Sequence, residues 1–362
     1  MVQSATVECH NHVTAARQRK VQFVDSLKLI AEHSLQTSNP LFYVETCKLV
    51  LELQDLLGLE EKKSETFFDY GMFLFGQGNY SGARDALKKA LKNNSSQPHF
   101  VGLCHFQIGV INCHMENFQA ARLSFQEALE CKEIMLGQEN LSAAICHHWI
   151  GYVYRREKNI DKALEIQHKV LQEMEQNTAN ITSGSLISDS CFELGCIYQE
   201  MGNLQRAVDF HQRSLLIREK DVADFKPKLQ SYTHLALVLM TQKLERPHAS
   251  SKHSELTSRI VNLLGRAVAL VEEQAQHGNL RDRFPVIIIA NTERLESIKD
   301  LMLLALELCK KLNSVLQEEN KEVKCRIEEL EAELKNLLRT VLDEREVLKQ
   351  TSYSDSRYMY NI

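Results

Sequence analysis

Four stretches of the chain carry one pattern at one spacing, and no other feature of the sequence limits the fold as much. A glycine inside an apolar stretch is followed eight residues later by Asn and twelve later by Ala. The four sets are Gly71, Asn79 and Ala83; Gly109, Asn117 and Ala121; Gly151, Asn159 and Ala163; and Gly195, Asn203 and Ala207. Successive Asn positions are 38, 42 and 44 residues apart. A period of that length belongs to stacked supersecondary units, each burying its apolar face on its neighbours.

Each part of the pattern has a physical reason. Gly in a helix interior costs about 1 kcal/mol against Ala, so its recurrence predicts close approach of two helix backbones. The Ala twelve residues on is the expected small partner on the second helix. Asn tolerates the left-handed conformation that ends a helix, which predicts a chain reversal at Asn79, Asn117, Asn159 and Asn203. Apolar residues follow at helical spacing, as at Ala83, Leu87, Ala90 and Leu91. Each unit therefore reads as a helix, a tight turn and an antiparallel helix. With 14 Gly and 5 Pro among 362 residues, the chain lacks the turn residues that an all-β sandwich or barrel would need.

These residues resemble the tetratricopeptide repeat family. The resemblance covers residues 64 to 220 and rests on the small Gly, the aromatic or aliphatic residue after the turn, and the small residues of the second helix. The period of about 40 exceeds the ~34 of the ordinary repeat and is similar to the longer units of kinesin light chain and of the Leu-Gly-Asn-repeat polarity adaptors. The resemblance implies an all-α fold, a right-handed superhelical solenoid of antiparallel helix pairs whose first helices line the concave face. A fifth, degenerate unit is expected from near Leu229, with Leu235-Ala236 in place of Leu-Gly and a polar insertion over 245–254. Residues 1–60 read as an N-terminal helical cap split by Ser38-Asn39-Pro40, residues 61–310 as repeats, 311–350 as a coiled-coil helix and 351–362 as a disordered tail.

The coiled-coil expectation rests on heptads laid over 313–348. The apolar or register-setting core positions include Leu316, Asn320, Val323, Ile327, Leu330, Leu334, Leu337 and Val341. Asn at an a position favours two parallel strands, which predicts a homodimer. The competing expectation is a single amphipathic helix folded back on the repeats.

Several tempting chemical motifs dissolve on inspection. Gly76-Gln77-Gly78-Asn79-Tyr80-Ser81-Gly82 looks like a phosphate loop, but its third Gly is misplaced for the dinucleotide fingerprint and the equivalent turns of units two and three lack Gly. Cys104-His105, Cys113-His114 and Cys146-His147-His148 put neighbours about 100° apart on a helix, where they cannot act as nucleophile and base. Cys9-His10-Asn11-His12 lacks a fourth metal ligand. No cofactor, no metal and no catalytic residue is expected, and the chain reads as a non-enzyme. The ten cysteines form no CxxC pair or regular framework and read as reduced thiols, mostly buried. No signal-peptide h-region and no span-length apolar run is found, so a cytoplasmic protein without a membrane span is expected. A formal charge of −5 gives no net attraction to nucleic acid phosphates.

What remains is a binding function. The first-helix face expected to look into the groove carries Phe68, Met72 and Phe75 in unit one, Phe106, Val110 and His114 in unit two, His148, Tyr152, Arg155 and Arg156 with Trp149 beside them in unit three, and Phe192, Gln199 and Glu200 in unit four. Such a groove would take the apolar anchors of a helical or extended peptide, with Arg155 and Arg156 reaching an acidic residue of that partner. The competing expectation packs the Phe residues between repeats. Chaperone-binding members of the family clamp a terminal carboxylate; the Asn residues of that clamp are missing here. The expected function is an adaptor or scaffold for a protein or peptide partner. Alternatively, the C-terminal helix occupies the protein's own groove. The light-chain resemblance extends the implied setting to the cytoskeleton, centrosome or cilium, although there the coiled coil precedes the repeats.

Overall fold

The computed structural model describes residues 2–36, 40–93, 97–136, 141–176, 182–220, 225–245, 250–276, 290–315 and 323–339. All of the regular structure in the described residues is helical. An N-terminal pair, α1 (Val2–Gln36) and α2 (Pro40–Leu57), leads into α3 (Glu60–Gly76) and α4 (Tyr80–Asn93). Units two to four follow as α5 (Pro98–His114) with α6 (Phe118–Leu136), α7 (Leu141–Arg156) with α8 (Ile160–Gln176), and α9 (Thr182–Glu200) with α10 (Leu204–Lys220). A fifth pair is α11 (Phe225–Glu245) and α12 (Ser250–Gln276), followed by α13 (Ala290–Val315) and a last helix, α14, over 323–339. Helices pack on their partners within each pair, and each pair packs on the next through α4–α5, α6–α7, α8–α9 and α10–α11. The result is the expected solenoid, in which each unit is buried by its neighbours.

The two helices of a unit differ in kind. In α4 the buried set is Ala83, Ala86, Leu87 and Ala90, one stripe at helical spacing with charged residues opposite. In α5, buried positions Gly102, Cys104, Ile108, Gly109, Val110, Ile111, Asn112 and Cys113 encircle the helix. First helices are sandwiched between their own second helix and that of the preceding unit, so they need apolar surface on more than one side.

The turn is built as the Asn spacing predicts, with one correction. The left-handed residue is the one before the Asn: Gly78 (φ 73°), Glu116 (φ 56°), Lys158 (φ 64°) and Gly202 (φ 75°). The amide of each following Asn donates five residues back to a carbonyl of the finished helix, at 2.9 Å to Leu74, 2.8 Å to Asn112, 2.8 Å to Tyr154 and 2.9 Å to Tyr198. That closes a Schellman motif. The Asn then caps the next helix: Oδ1 of Asn79, Asn117 and Asn203 accepts from the amides of Gly82, Ala120 and Arg206 at 3.0, 3.4 and 3.3 Å. One residue ends one helix and begins the next, and Asn is selected for its cap oxygen rather than for its own backbone freedom.

The glycine contact also needs correcting. Ala83, Ala121, Ala163 and Ala207 are fully buried, as expected of residues at a close helix crossing. Yet the side chain standing over each Gly comes from sixteen residues on. A Cβ added at Gly71 would lie 3.1 Å from Leu87, at Gly109 2.6 Å from the Phe125 ring, at Gly151 2.8 Å from Gln167 and at Gly195 2.6 Å from His211. The Gly is a socket for a knob one helical turn beyond the Ala.

The described part of the C-terminal heptad stripe packs within the chain. Ile327, Leu330 and Leu334 on α14 are at most 2% exposed and belong to one apolar cluster with Leu264 and Ala267 of α12 and Met302 and Leu308 of α13. Val323 and Leu337 pack at its margin. The stripe expected to form an intermolecular seam is used inside the chain, where docking loses no translational freedom. Leu316, Asn320 and Val341, like the tail over 351–362, lie outside the described residues. Helix α13 packs on α11 and also touches α3, so it reaches from the last pair back to the first repeat.

Candidate functional site

Most of the predicted groove residues are brought together as a ladder of rings along α3, α5 and α7. Phe68 lies against Phe100, with centroids 5.8 Å apart, and Met72 is half-buried beside it on α3. Phe75 meets His114 edge-on at 5.2 Å, and Tyr80 stacks on the same imidazole at 5.4 Å. Phe106 tilts onto Phe125 at 5.6 Å, and Trp149 stacks on Phe125 at 5.7 Å and meets Tyr152 at 5.6 Å. Val110 is buried beneath them. Phe68, Phe75, Phe106, Trp149 and Tyr152 are all half-buried: each ring packs between repeats and keeps part of its surface open.

The basic residues at the end of the ladder are engaged within the chain. Arg155 donates from Nε to Glu193 at 2.8 Å and from Nη1 to Glu200 at 2.9 Å, and Lys158 donates to the other Glu200 oxygen at 3.0 Å. These bonds join α7 to α9. Burial works against the Glu200 charge, but the hydrogen bonds from Arg155 and Lys158 outweigh it and hold the carboxyl below its usual range. The acidic partner expected for Arg155 is thus Glu193 and Glu200, 38 and 45 residues further along the chain. Arg156 is exposed; it donates to the Tyr152 hydroxyl at 2.9 Å and its guanidinium lies over the Phe118 ring at 5.1 Å. Gln199 is half-buried on α9.

Unit four breaks the pattern. Phe192 is only 4% exposed, closed in by His211 at 5.2 Å, His234 at 4.9 Å and the Arg218 guanidinium at 4.9 Å. Arg218 is itself held by the Pro227 carbonyl at 2.9 Å, Ser231 Oγ at 2.7 Å and Asp189 at 2.7 Å. Beside Phe192, one ligand atom each from Cys196, His211 and His234 lie within 4.8 Å of one another. Both ring nitrogens of the fully buried His211 and Nδ1 of His234 lack a hydrogen-bond partner. Burial, with His234, Arg218 and Arg155 adding to it, pushes His211 down to about 3; burial and the same two arginines push His234 down to about 4. Both imidazoles are therefore neutral near pH 7. Burial likewise drives the Cys196 thiol upward.

Sequence reasoning missed this group, although it held the clues. Cys196 follows Gly195 as Met72, Val110 and Tyr152 follow the other three glycines, and His211 is the knob of its unit. Only His234, from the degenerate fifth unit, had no register to point to it. Unit three offers a contrast: its polar knob Gln167 is satisfied, donating to the His148 carbonyl at 2.8 Å and pairing through Oε1 with His148 Nδ1 at 3.1 Å.

The buried thiols Cys104 and Cys113 are unlike nucleophiles. No disulfide joins the described cysteines, and burial pushes the Cys104 and Cys113 thiols up to about 12. The side chains of Cys9, His10 and His12 lie outside the described residues. Among the described residues, no helix is long and apolar enough to cross a membrane.

Comparison with known proteins agrees with this architecture. A tetratricopeptide repeat family model matches residues 193–220, which hold Cys196 and His211. No curated protein matches the sequence significantly. Among solved structures, the apo form of RapI is similar with a TM-score of 0.55 at 12% identity, covering 88% of this chain and 99% of that one. A Rap protein complexed with competence and sporulation factor is similar with a TM-score of 0.50 at 15% identity, covering 90% and 88%. BtubC (BKLC) from P. vanneervenii gives 0.42 at 15% identity, covering 73% and 93%. The chain is a tetratricopeptide-like helical-repeat solenoid.

Proposed function

We propose that the protein is a non-catalytic interaction scaffold whose first-helix row receives apolar side chains of a partner protein's helical or extended segment. One observation carries this reading: large rings at Phe68, Phe75, Phe106, Trp149 and Tyr152 stay partly open along three successive units, where complete burial would be the cheaper use of such surface. A structurally similar Rap protein is described in complex with competence and sporulation factor, so a solenoid of this kind can hold a ligand. Arg156 and His114, both exposed at the edge of the row, supply its polar rim. Proximity labelling in cells, comparing the wild type with a His114→Asp/Arg156→Glu variant, tests the assignment. Loss of a discrete set of labelled proteins, reproduced with a purified member of that set, is the expected result; an unchanged set defeats it. Imaging of the tagged chain in the same cells places it in the cytoplasm or on a cytoskeletal structure.

A second reading is favoured by α13, which spans from α11 to α3. In that reading the helix competes with the partner for the inner surface and the scaffold is self-inhibited. Removing residues 290–362 then tightens partner binding by about tenfold or more, whereas the open-scaffold reading expects unchanged affinity.

A further inference from the structure

We propose that Cys196, His211 and His234 form a zinc site that ties α9, α10 and α11 together. The donor set is one thiol and two imidazoles, and thiolate with imidazole suits zinc. Their ligand atoms already lie within 4.8 Å of one another. Around a tetrahedral zinc with bonds of about 2.0–2.3 Å, they would draw in to about 3.5 Å.

The site is built rather than incidental. His211 is fully buried, and neither of its nitrogens has a partner; Nδ1 of His234 is unpaired as well. Buried polar groups are normally satisfied, and Gln167, the equivalent knob of unit three, is. A cation at the centre of the three would use the orphaned lone pairs. Loading exchanges one proton: the Cys196 thiol loses H+ to solvent as the Zn–S bond forms, and the two neutral imidazoles donate lone pairs without losing one. The nearby cations do not forbid this. Arg155 is paired with Glu193 and Glu200, Lys158 with Glu200, and Arg218 with Asp189, so three cations are matched by three carboxylates. Three protein ligands leave one position of a tetrahedral zinc unfilled by the cluster itself.

The test uses the full, reduced chain with Zn2+ alone and with Co2+ as a coloured substitute. One equivalent of Zn2+ is expected to bind, to raise the unfolding temperature and to be removed by a chelator. Co2+ is expected to give tetrahedral d–d bands and a thiolate-to-cobalt charge-transfer band. Cys196→Ser and His234→Gln should each weaken Zn2+ binding by at least ~100-fold, with circular dichroism confirming that they remain helical. Cys325→Ser, at an exposed cysteine, and a His10→Gln/His12→Gln variant should leave binding intact. The proposal is overturned if wild-type protein shows no thiolate–cobalt band. It is equally overturned if the band survives Cys196→Ser and His234→Gln, or disappears with either control. Should both ligand variants fail to fold, the wild-type cobalt spectrum and the zinc-dependent unfolding temperature still decide the matter.

Discussion

Units two and four share a backbone and differ in what stands over their glycine. In unit two the socket at Gly109 receives the Phe125 ring, and the ladder of Phe106, Trp149 and Tyr152 grows outward from that ring. In unit four the socket at Gly195 receives an imidazole at the same 2.6 Å from the absent Cβ, and the neighbours are Phe192, Cys196, His234 and Arg218. The repeat geometry therefore asks only for a knob of suitable size. Its chemistry can be apolar, giving stability and a sticky edge, or polar, giving a chemical site inside an otherwise ordinary repeat.

The largest expected effect tests the first half of that contrast. Phe125→Ala removes a fully buried ring and should cost about 3–5 kcal/mol in chemical denaturation. His211→Leu, at the same register, replaces a polar group that has no partner and should be neutral or stabilising in metal-free protein; equal losses at the two positions would erase the distinction. A comparable loss, about 2–5 kcal/mol, is expected for Leu330→Ala on α14, with no change of mass in light scattering. A change of mass without loss of stability would return that stripe to an intermolecular seam.

Smaller effects sharpen the socket argument. Gly109→Ala and Gly195→Ala should each cost about 1–3 kcal/mol, since a new methyl meets a ring that is packed on its far side. Gly184→Ala, where nothing lies within 4 Å, should instead stabilise by about 0.5–1 kcal/mol through helix propensity; thermal unfolding of the three variants reads the sign directly. Asn117→Ala should cost about 1 kcal/mol through the lost cap. The smallest effect is at Glu200, whose carboxyl is held below its usual range. Its contribution is present above the unfolded carboxylate pKa and is lost as pH falls through the lower folded value. Glu200→Gln should therefore lower the denaturation midpoint at neutral pH, by under about 1 kcal/mol, and have no effect at a pH where wild-type Glu200 is already protonated.

Much of the fold was legible because its signals are local. Gly71, Asn79 and Ala83 and their three copies marked the helices, the turn and the crossing, although the left-handed residue proved to be Gly78 rather than Asn79. A residue such as Asn79 carries a cap oxygen and a backbone amide that act within five positions, so spacing alone exposes them. The candidate site was legible only in part. The groove row could be drawn at one register, yet whether Phe192 faced outward depended on His234, 42 residues away in a unit whose own signature had decayed. The destination of Arg155 was hidden for the same reason, since Glu193 and Glu200 belong to the next unit.

The amino-acid order alone determined that this chain stacks helix pairs, because helix period, socket, turn and cap are settled by residues within one unit. Tertiary structure decided which knob fills each socket, that Arg155 answers to Glu193 and Glu200, that α14 packs with α12 and α13, and that one thiol and two imidazoles meet. Those outcomes depend on which surfaces compete for burial and charge across helices far apart in the chain, and no local periodicity encodes that competition.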